Sequence, residues 1–252
     1  LPKLTNKYST FDAKSTLSSD HEYLFSIGGD GTLLRSIPFV KNTEIPILGI
    51  NTGRLGFLTS LQKESLNEAL DKFFDEKFKL VKRALLAVKL SAPSAEIDKF
   101  GYALNEISIN RKNTTAMLSI ATQIDKEFLT TYWADGLIIA TPTGSTGYSL
   151  SSGGPILTPE TKGIVLNPIA PHNLNIRPLV VPDKAKIEIS VDGRGEDHLL
   201  SLDSRIFTIE NRTKIYIKKA PFSIFTLELE GDNYFKTLRT KLFWGYDARN
   251  RQ

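Results

Sequence analysis

Apolar residues in this chain fall mostly into short runs that end in glycine, and a helical spacing appears at only a few places. The first run, Tyr23-Leu24-Phe25-Ser26-Ile27, has the length of a short buried strand and breaks into Gly28-Gly29-Asp30-Gly31. Thr32-Leu33-Leu34-Arg35-Ser36-Ile37 can then start a helix. A second run, Ile45 to Ile50, passes into Asn51-Thr52-Gly53-Arg54-Leu55-Gly56-Phe57-Leu58. Two strands that each end in a glycine loop predict a parallel sheet with its site at the carboxyl ends of the strands. Ser65-Leu66-Asn67-Glu68 has the form of a capping box, and Leu66, Ala69, Leu70, Phe73 and Phe74 continue one apolar face, which predicts a helix over 65–77.

Near residue 79 the pattern changes. From Leu80 to Leu229 strand-like runs dominate, among them Leu85–Leu90, Ile107–Ile109, Met117–Ile120, Ile187–Val191 and Lys214–Ile217. Their spacing by turn residues predicts an all-β domain of the sandwich kind. From Asp232 to Trp244 the spacing is helical again: Phe235, Leu238 and Leu242 share a face and Gly245 can end the helix, which is expected to return onto the N-terminal domain. Residues 1–20 are polar and read as a surface loop or frayed arm. An α/β domain ought to open on a strand, so N-terminal residues are expected to be missing from this sequence. The fold class is therefore α/β plus all-β, with an α/β domain over 1–78 and 233–252 and a β-sandwich domain over 79–232.

Composition narrows the chemistry. A chain of 252 residues with 40% hydrophobic and 24% charged positions has the make-up of an ordinary globular protein. Its longest apolar runs, such as Gly136–Ala140, are too short to cross a bilayer, and no charged segment followed by an apolar one opens the chain, so no membrane partner is expected. The lack of cysteine excludes disulfides and thiolate metal sites and fits a cytoplasmic protein. Three scattered histidines, His21, His172 and His198, argue against a structural zinc site. The net charge of +4 is spread along the chain without a basic block, so no nucleic-acid partner is expected, while a small anionic ligand fits it.

The candidate chemistry sits in the glycine loops. A strand, a glycine turn and a helix N-terminus together form an anion cradle, where bare N–H groups and the helix dipole favour phosphate. The one charged side chain of the turn is Asp30, which would repel phosphates unless it holds a metal ion or takes a proton from an attacking hydroxyl. The alternative is a carboxylate that only caps the helix. The turn is neither a Walker A loop nor the dinucleotide fingerprint G-x-G-x-x-G. A second dense segment runs from Asp135 to Pro155, where a buried strand leads into Thr141-Pro142-Thr143-Gly144-Ser145-Thr146-Gly147-Tyr148-Ser149-Leu150-Ser151. Its hydroxyls and bare N–H groups suit phosphate and ribose, Tyr148 can begin a short helix, and Asp135 could accept from a ribose or an amide. Asn105-Glu106, at the start of another strand, can grip a ribose diol or an adenine edge, or can be a solvated strand end.

Taken together, these motifs resemble the NAD kinases, bacterial type. The matching features are Gly28–Thr32, Asn51–Leu58, the pair Asn105-Glu106, Asp135-Gly136, Thr141–Tyr148 and Ser151–Pro155, in order across nearly the whole chain. Gly-Gly-Asp-Gly is shared with diacylglycerol and sphingosine kinases and with phosphofructokinases, whereas the Thr-Pro-Thr-Gly-Ser-Thr run with Asn-Glu upstream is specific. The resemblance implies a Rossmann-like α/β domain, a β-sandwich domain and a site between them. It implies transfer of the ATP γ-phosphoryl group to the 2′-hydroxyl of the adenosine ribose of NAD, with Mg²⁺ or another divalent metal, in a homo-oligomer (dimer or tetramer). By position, Asp30 is similar to the family's catalytic carboxylate. Gly31, Asn51, Phe57, Asn105, Glu106, Asp135, Thr143, Thr146, Gly147, Tyr148, Ser149, Leu150, Ser151 and Ala170 fall where it binds nucleotide, and Arg35 is a candidate phosphate contact by its charge. Arg54 is a further candidate for phosphate, and no residue is assigned to the metal. Ala170 matches a segment that in the family reaches a neighbouring subunit's ligand. Gly147 stands where the family more often has alanine, and Arg205 where several members carry glutamine. Two other readings are a lipid kinase of the same superfamily and a non-catalytic NAD(P)-binding sensor.

Overall fold

The computed structural model describes residues 17–18, 20–53, 56–59, 61–112 and 116–244. Its N-terminal part is α/β: β1 (Leu24–Ile27), α1 (Asp30–Val40), β2 (Ile47–Asn51), β3 (Leu61–Gln62) and α2 (Leu66–Phe74). Strands follow: β4 (Phe78–Leu90), β5 (Tyr102–Ala103) after the short α3 (Ala95–Lys99), β6 (Glu106–Asn110), β7 (Leu118–Ile124), β8 (Glu127–Ala134) and β9 (Gly136–Ala140). A 3-10 turn (Thr143–Thr146) and α4 (Tyr148–Ser151) precede β10 (Gly163–Ile169), β11 (Leu179–Pro182), β12 (Ile187–Asp192), β13 (Asp197–Leu202), β14 (Arg205–Glu210) and the long β15 (Ile215–Leu229). The helix α5 (Tyr234–Leu242) comes last. None of the described helices is long and apolar enough to cross a membrane.

Among the described residues the strands form two sheets. The larger runs β1-β2-β15-β12-β7-β8, with β3 beside β2, β4 beside β15 and β5 beside β4; the smaller runs β11-β10-β9-β6-β13-β14. β1, β3 and β15 all pair with β2 in parallel, and the other pairings are antiparallel. The two sheets stack face to face: Leu86, Val88, Ile189 and Ile217 from one share a core with Ile107, Leu137, Leu166 and Leu200 from the other. Each such fully buried aliphatic side chain contributes roughly 1.5–3 kcal/mol. Leu33, Ile37 and Val40 of α1 cover a second core with Ile45 and Ile47, and Ala69 and Phe73 of α2 cover a third with Leu48 and Ile50. β15 belongs to both regions, because Thr226 lies in register with Ile47 while Ile215–Ile217 pair with β12.

Several details differ from the sequence expectation. β1 is not buried on both faces, since Ile27 is 64% exposed. It lies at the sheet edge, and only alternate residues face α1, whereas Tyr23 and Phe25 pack edge-on against Phe73. The capping box at Ser65 does not form. Lys63–Ser65 is a 3-10 turn, so Ser65 has φ −106 and ψ 18 instead of the extended backbone from which a cap hydroxyl reaches back. α2 stops at Phe74, which is 76% exposed, because Glu76 turns into the left-handed region at φ 56. α5 is capped by Asn233, whose side chain accepts from the Lys236 N–H at 2.8 Å, and it ends at Phe243 with φ 50. Gly245, the polar opening segment up to residue 16, and Arg54 lie outside the described residues.

Candidate active site

Asp30 is the first residue of α1, and Gly29 occupies the cap position without a side-chain bond, so the carboxylate is not a helix cap. It reaches instead into the second glycine loop. Its Oδ2 accepts from the Phe57 N–H at 2.8 Å, and its Oδ1 from the Leu58 N–H at 3.2 Å, the Thr59 N–H at 3.0 Å and the Thr59 hydroxyl at 2.8 Å. Gly56 makes this possible: a Cβ there would stand 1.7 Å from Oδ1. Asn51, at the end of β2, joins the same knot by donating to the Thr59 hydroxyl at 2.8 Å and accepting from the Gly53 N–H at 2.7 Å. The loop is covered by α5, whose Lys241 ammonium sits 5.3 Å from the centre of the Phe57 ring. Gly31 is exposed beside Asp30, and Arg35 one turn on is exposed and donates to Thr32 at 3.3 Å.

Across the sheet interface, β6 and β9 end together, with Glu106 in register with Ala140. The chain leaving β9 folds back over Asn105-Glu106: the Thr141 N–H donates to the Asn105 carbonyl at 2.9 Å, and its hydroxyl to the Leu104 carbonyl at 2.6 Å. A Cβ at Gly144 would lie 2.0 Å from the Asn105 carbonyl oxygen, so only glycine allows this approach. Thus Asn105-Glu106 is no solvated strand end. Asn105 Oδ1 and Glu106 Oε2 are buried and have no hydrogen-bond partner. Burial, and after it the Asp203 carboxylate, push the Glu106 carboxyl up to about 8, partly offset by the Tyr148 N–H. Asp203, at φ 51 between β13 and β14, accepts from the N–H groups of Leu104, Asn105 and Glu106 and so shapes this turn.

The rest of the hydroxyl loop divides by face. Thr143 and Thr146 form the 3-10 turn, with the Thr146 hydroxyl donating to the Thr143 carbonyl at 3.2 Å. Gly147 borders Glu106, and Tyr148 is exposed above it. Ser149 faces inward, its carbonyl accepting from Asn167 at 2.9 Å, while Leu150 is half-buried and Ser151 exposed. Asp135 stands at the other end of β9, about 20 Å away along the strand. There it pairs with Arg111 at 3.0 Å, and its N–H donates to the carbonyl of Ile169, next to the exposed Ala170 at φ 44. Arg205 turns away from the loop; its guanidinium donates to the carbonyls of Phe100 and Tyr102 and lies over the Phe100 ring.

Three residues of the site escaped the sequence reading. Thr59, one position beyond the second loop as read, ties Asp30 to Asn51. Asp203 holds the Asn-Glu turn. Arg83, on β4, donates from Nε to Thr226 at 2.8 Å and from Nη1 to the Thr143 hydroxyl at 3.4 Å. Its signal in the sequence was an arginine at the strand positions between Val81 and Leu85, where the alternation calls for an apolar residue.

No group of three or more His, Cys, Asp or Glu gathers as a metal site among the described residues. Oδ1 of Asp30 already takes three donors and Oδ2 one, so this carboxylate keeps a single open lone pair, on Oδ2, and no cluster of acids among the described residues stands beside it to share a cation. A resident metal centre therefore does not fit this donor set.

Comparison with known proteins places the chain in a family. Residues 5–78 match the ATP-NAD kinase N-terminal domain and residues 104–228 the ATP-NAD kinase C-terminal domain. The chain is 52% identical over 248 residues to an NAD kinase of Christiangramia forsetii, covering 98% of this chain and 84% of that one. It is 51% identical to an NAD kinase of Flavobacterium psychrophilum, with the same coverage. Among solved structures, an NAD kinase from Archaeoglobus fulgidus in complex with ATP superposes with a TM-score of 0.76 at 30% identity, covering 89% of this chain and 84% of that one. Yeast NADH kinase complexed with NADH gives 0.82 at 28% identity, covering 92% of this chain and 69% of that one. With family models matched over 5–78 and 104–228 and relatives 52% and 51% identical over nearly the whole chain, this chain belongs to the NAD kinase family.

Proposed function

We propose that the chain transfers the γ-phosphoryl group of ATP to the 2′-hydroxyl of the adenosine ribose of NAD, forming NADP. The observation that carries this reading is the pair of orphaned buried acceptors, Asn105 Oδ1 and Glu106 Oε2, beneath a loop of glycines and hydroxyls. Buried acceptors without partners cost about 1–3 kcal/mol each, and hydroxyl or amino groups of a dinucleotide would supply the missing donors. Asp135, one strand length away, suits the far end of an extended dinucleotide, and Ala170 beside it the ligand of a neighbouring subunit. In this reading the unit formed by 1–78 and 233–252 delivers Asp30, and the unit over 79–232 holds the acceptor.

At the reacting centre the 2′-oxygen bonds to the γ-phosphorus as the bond from that phosphorus to the bridging oxygen breaks, and ADP leaves with the electron pair. The hydroxyl proton passes to Asp30. A carboxylate that already accepts four hydrogen bonds is a weak base, yet a loose phosphoryl-transfer transition state needs position more than base strength. The loop bonds provide that position. The donor would be MgATP, which brings its divalent metal with it. We place the protein in the cytoplasm as a homo-oligomer, the latter supported by the exposed apolar side chains Met117, Phe128, Trp133, Leu174 and Val180.

The test is to incubate the protein with NAD, ATP and Mg²⁺ and assay for NADP, with diacylglycerol and sphingosine as rival acceptors. NADP formation supports the reading. Phosphorylation of either lipid without NAD would favour the lipid kinase, and NAD binding without turnover the sensor.

A further inference from the structure

Arg83 is a guanidinium at the junction of three elements, with no dedicated counter-ion among the described residues. Its Nε is held by Thr226 of β15 and its Nη1 by Thr143 of the hydroxyl loop, while Nη2 makes no hydrogen bond to a described residue. No carboxylate among the described residues lies within ion-pair distance of it. The acidic groups in electrostatic reach are Glu228, Glu160 and Asp30. Glu228 is committed to Lys79 at 2.8 Å and Asp30 to the second glycine loop, while Glu160 is exposed. Tyr234 of α5 is the other titratable group in reach. A cavity of about 30 Å³ beside Arg83 is walled by Phe57, Leu58, Glu228 and Tyr234. Arg83 is half-buried, and a cation partly withdrawn from water is normally offset by an anion; here none of the described residues supplies one in contact.

We propose that Arg83 is a catalytic residue that grips the phosphoryl group in flight, with free N–H groups of Nη1 and Nη2 donating to two of its equatorial oxygens. This rests on the phosphoryl-transfer reading above. Thr226 and Thr143 fix the planar fork from its two ends, so the guanidinium is aimed before substrate arrives. Its place between Asp30 and Thr143 puts it where the donor phosphate of one unit meets the acceptor ribose of the other. A fork of two parallel donors matches a phosphate edge better than an ammonium does. The charge that spreads onto the equatorial oxygens as ADP leaves is then met by a preorganised cation.

The test compares Arg83→Met and Arg83→Lys with the wild type on NAD and MgATP, together with thermal midpoints and competition by inorganic tripolyphosphate. For Arg83→Met the expected result is a fall in kcat of about 100-fold or more, an unchanged KM for NAD and weakened inhibition by tripolyphosphate. Arg83→Lys should recover part of kcat, because it keeps the charge without the fork. A Met variant that retains kcat overturns the proposal. So does a loss of kcat matched by a loss of thermal midpoint, which would assign Arg83 to the fold. If Arg83→Met does not fold, Arg83→Lys decides: a fall in kcat of about tenfold or more at an unchanged midpoint supports the proposal, and an unchanged kcat overturns it. Wild-type protein that makes no NADP would be a failure of the functional reading, and NADP from wild type and variants alike a failure of the Arg83 assignment alone.

Discussion

The carboxylate of Asp30 takes two hydrogen bonds from Thr59, from its N–H at 3.0 Å and from its hydroxyl at 2.8 Å, although the two residues are 29 positions apart. The acid of the first glycine turn is thereby the anchor of the second.

Asp30→Asn is expected to lower turnover by about 10²–10⁴-fold. Because an amide must present N–H to at least one of the loop donors, it also loses about 1–3 kcal/mol of loop stability. Gly56→Ala should do comparable damage without touching the acid, since its Cβ would occupy the place of Oδ1. Steady-state kinetics with a thermal melt on both variants checks this; near-normal turnover in Asp30→Asn would remove Asp30 from the chemistry.

The Glu106 carboxyl, pushed up to about 8 from 4.5, makes stability depend on pH. Below about 4.5 the group is neutral in both states and the burial penalty is absent. From there to about 8 the folded state keeps a proton that the unfolded state has lost, so stability falls with rising pH, by at most about 1.4 kcal/mol per unit. Glu106→Gln should flatten that slope in denaturant titrations across the window. An identical slope in both proteins would contradict the assignment.

Ligand affinity should move the other way. If dinucleotide hydroxyls donate to Glu106, binding favours the ionised form and releases a proton, so NAD affinity should rise with pH up to about 8 and then level off. Calorimetry in buffers of different ionisation heat reads the proton directly. Glu106→Gln should show no such release.

Gly147→Ala tests the space beside this acid. The backbone there, at φ −92, accepts alanine, but the new Cβ would lie 2.9 Å from Glu106 Oε2. The expected outcome is a shifted Glu106 titration and a changed affinity for NAD with the thermal midpoint preserved. An unaltered affinity profile would show that the carboxylate moves aside freely.

Arg205→Ala should act on the fold instead. It leaves the Phe100 and Tyr102 carbonyls without their charged donor, bonds typically worth about 1.5–3 kcal/mol each. The thermal midpoint should drop while KM for NAD stays near that of the wild type. A raised KM at an unchanged midpoint would instead place Arg205 at the ligand.

The sequence by itself determined the parts whose causes are local. Glycines that break an apolar run marked both loops and the parallel start of the sheet, and alternating and continuous apolar runs marked the strands of the sandwich. The order of motifs from Gly28 to Pro155 identified the family. Helix ends were less legible, because the Ser65 pattern of a capping box was overruled by a 3-10 turn that depends on how β3 meets α2. Contacts between distant segments were decided only by the tertiary structure. Asp30 could be read as a cap, a base or a metal ligand until the Phe57–Thr59 loop arrived on it. Asn105-Glu106 could be a solvated strand end until Gly144 closed over it. Arg83 became part of the site only when β4, β15 and the Thr143 turn were packed together. No spacing along one chain encodes such encounters, because they depend on which sheet faces meet, and that is set by the summed burial of the whole core.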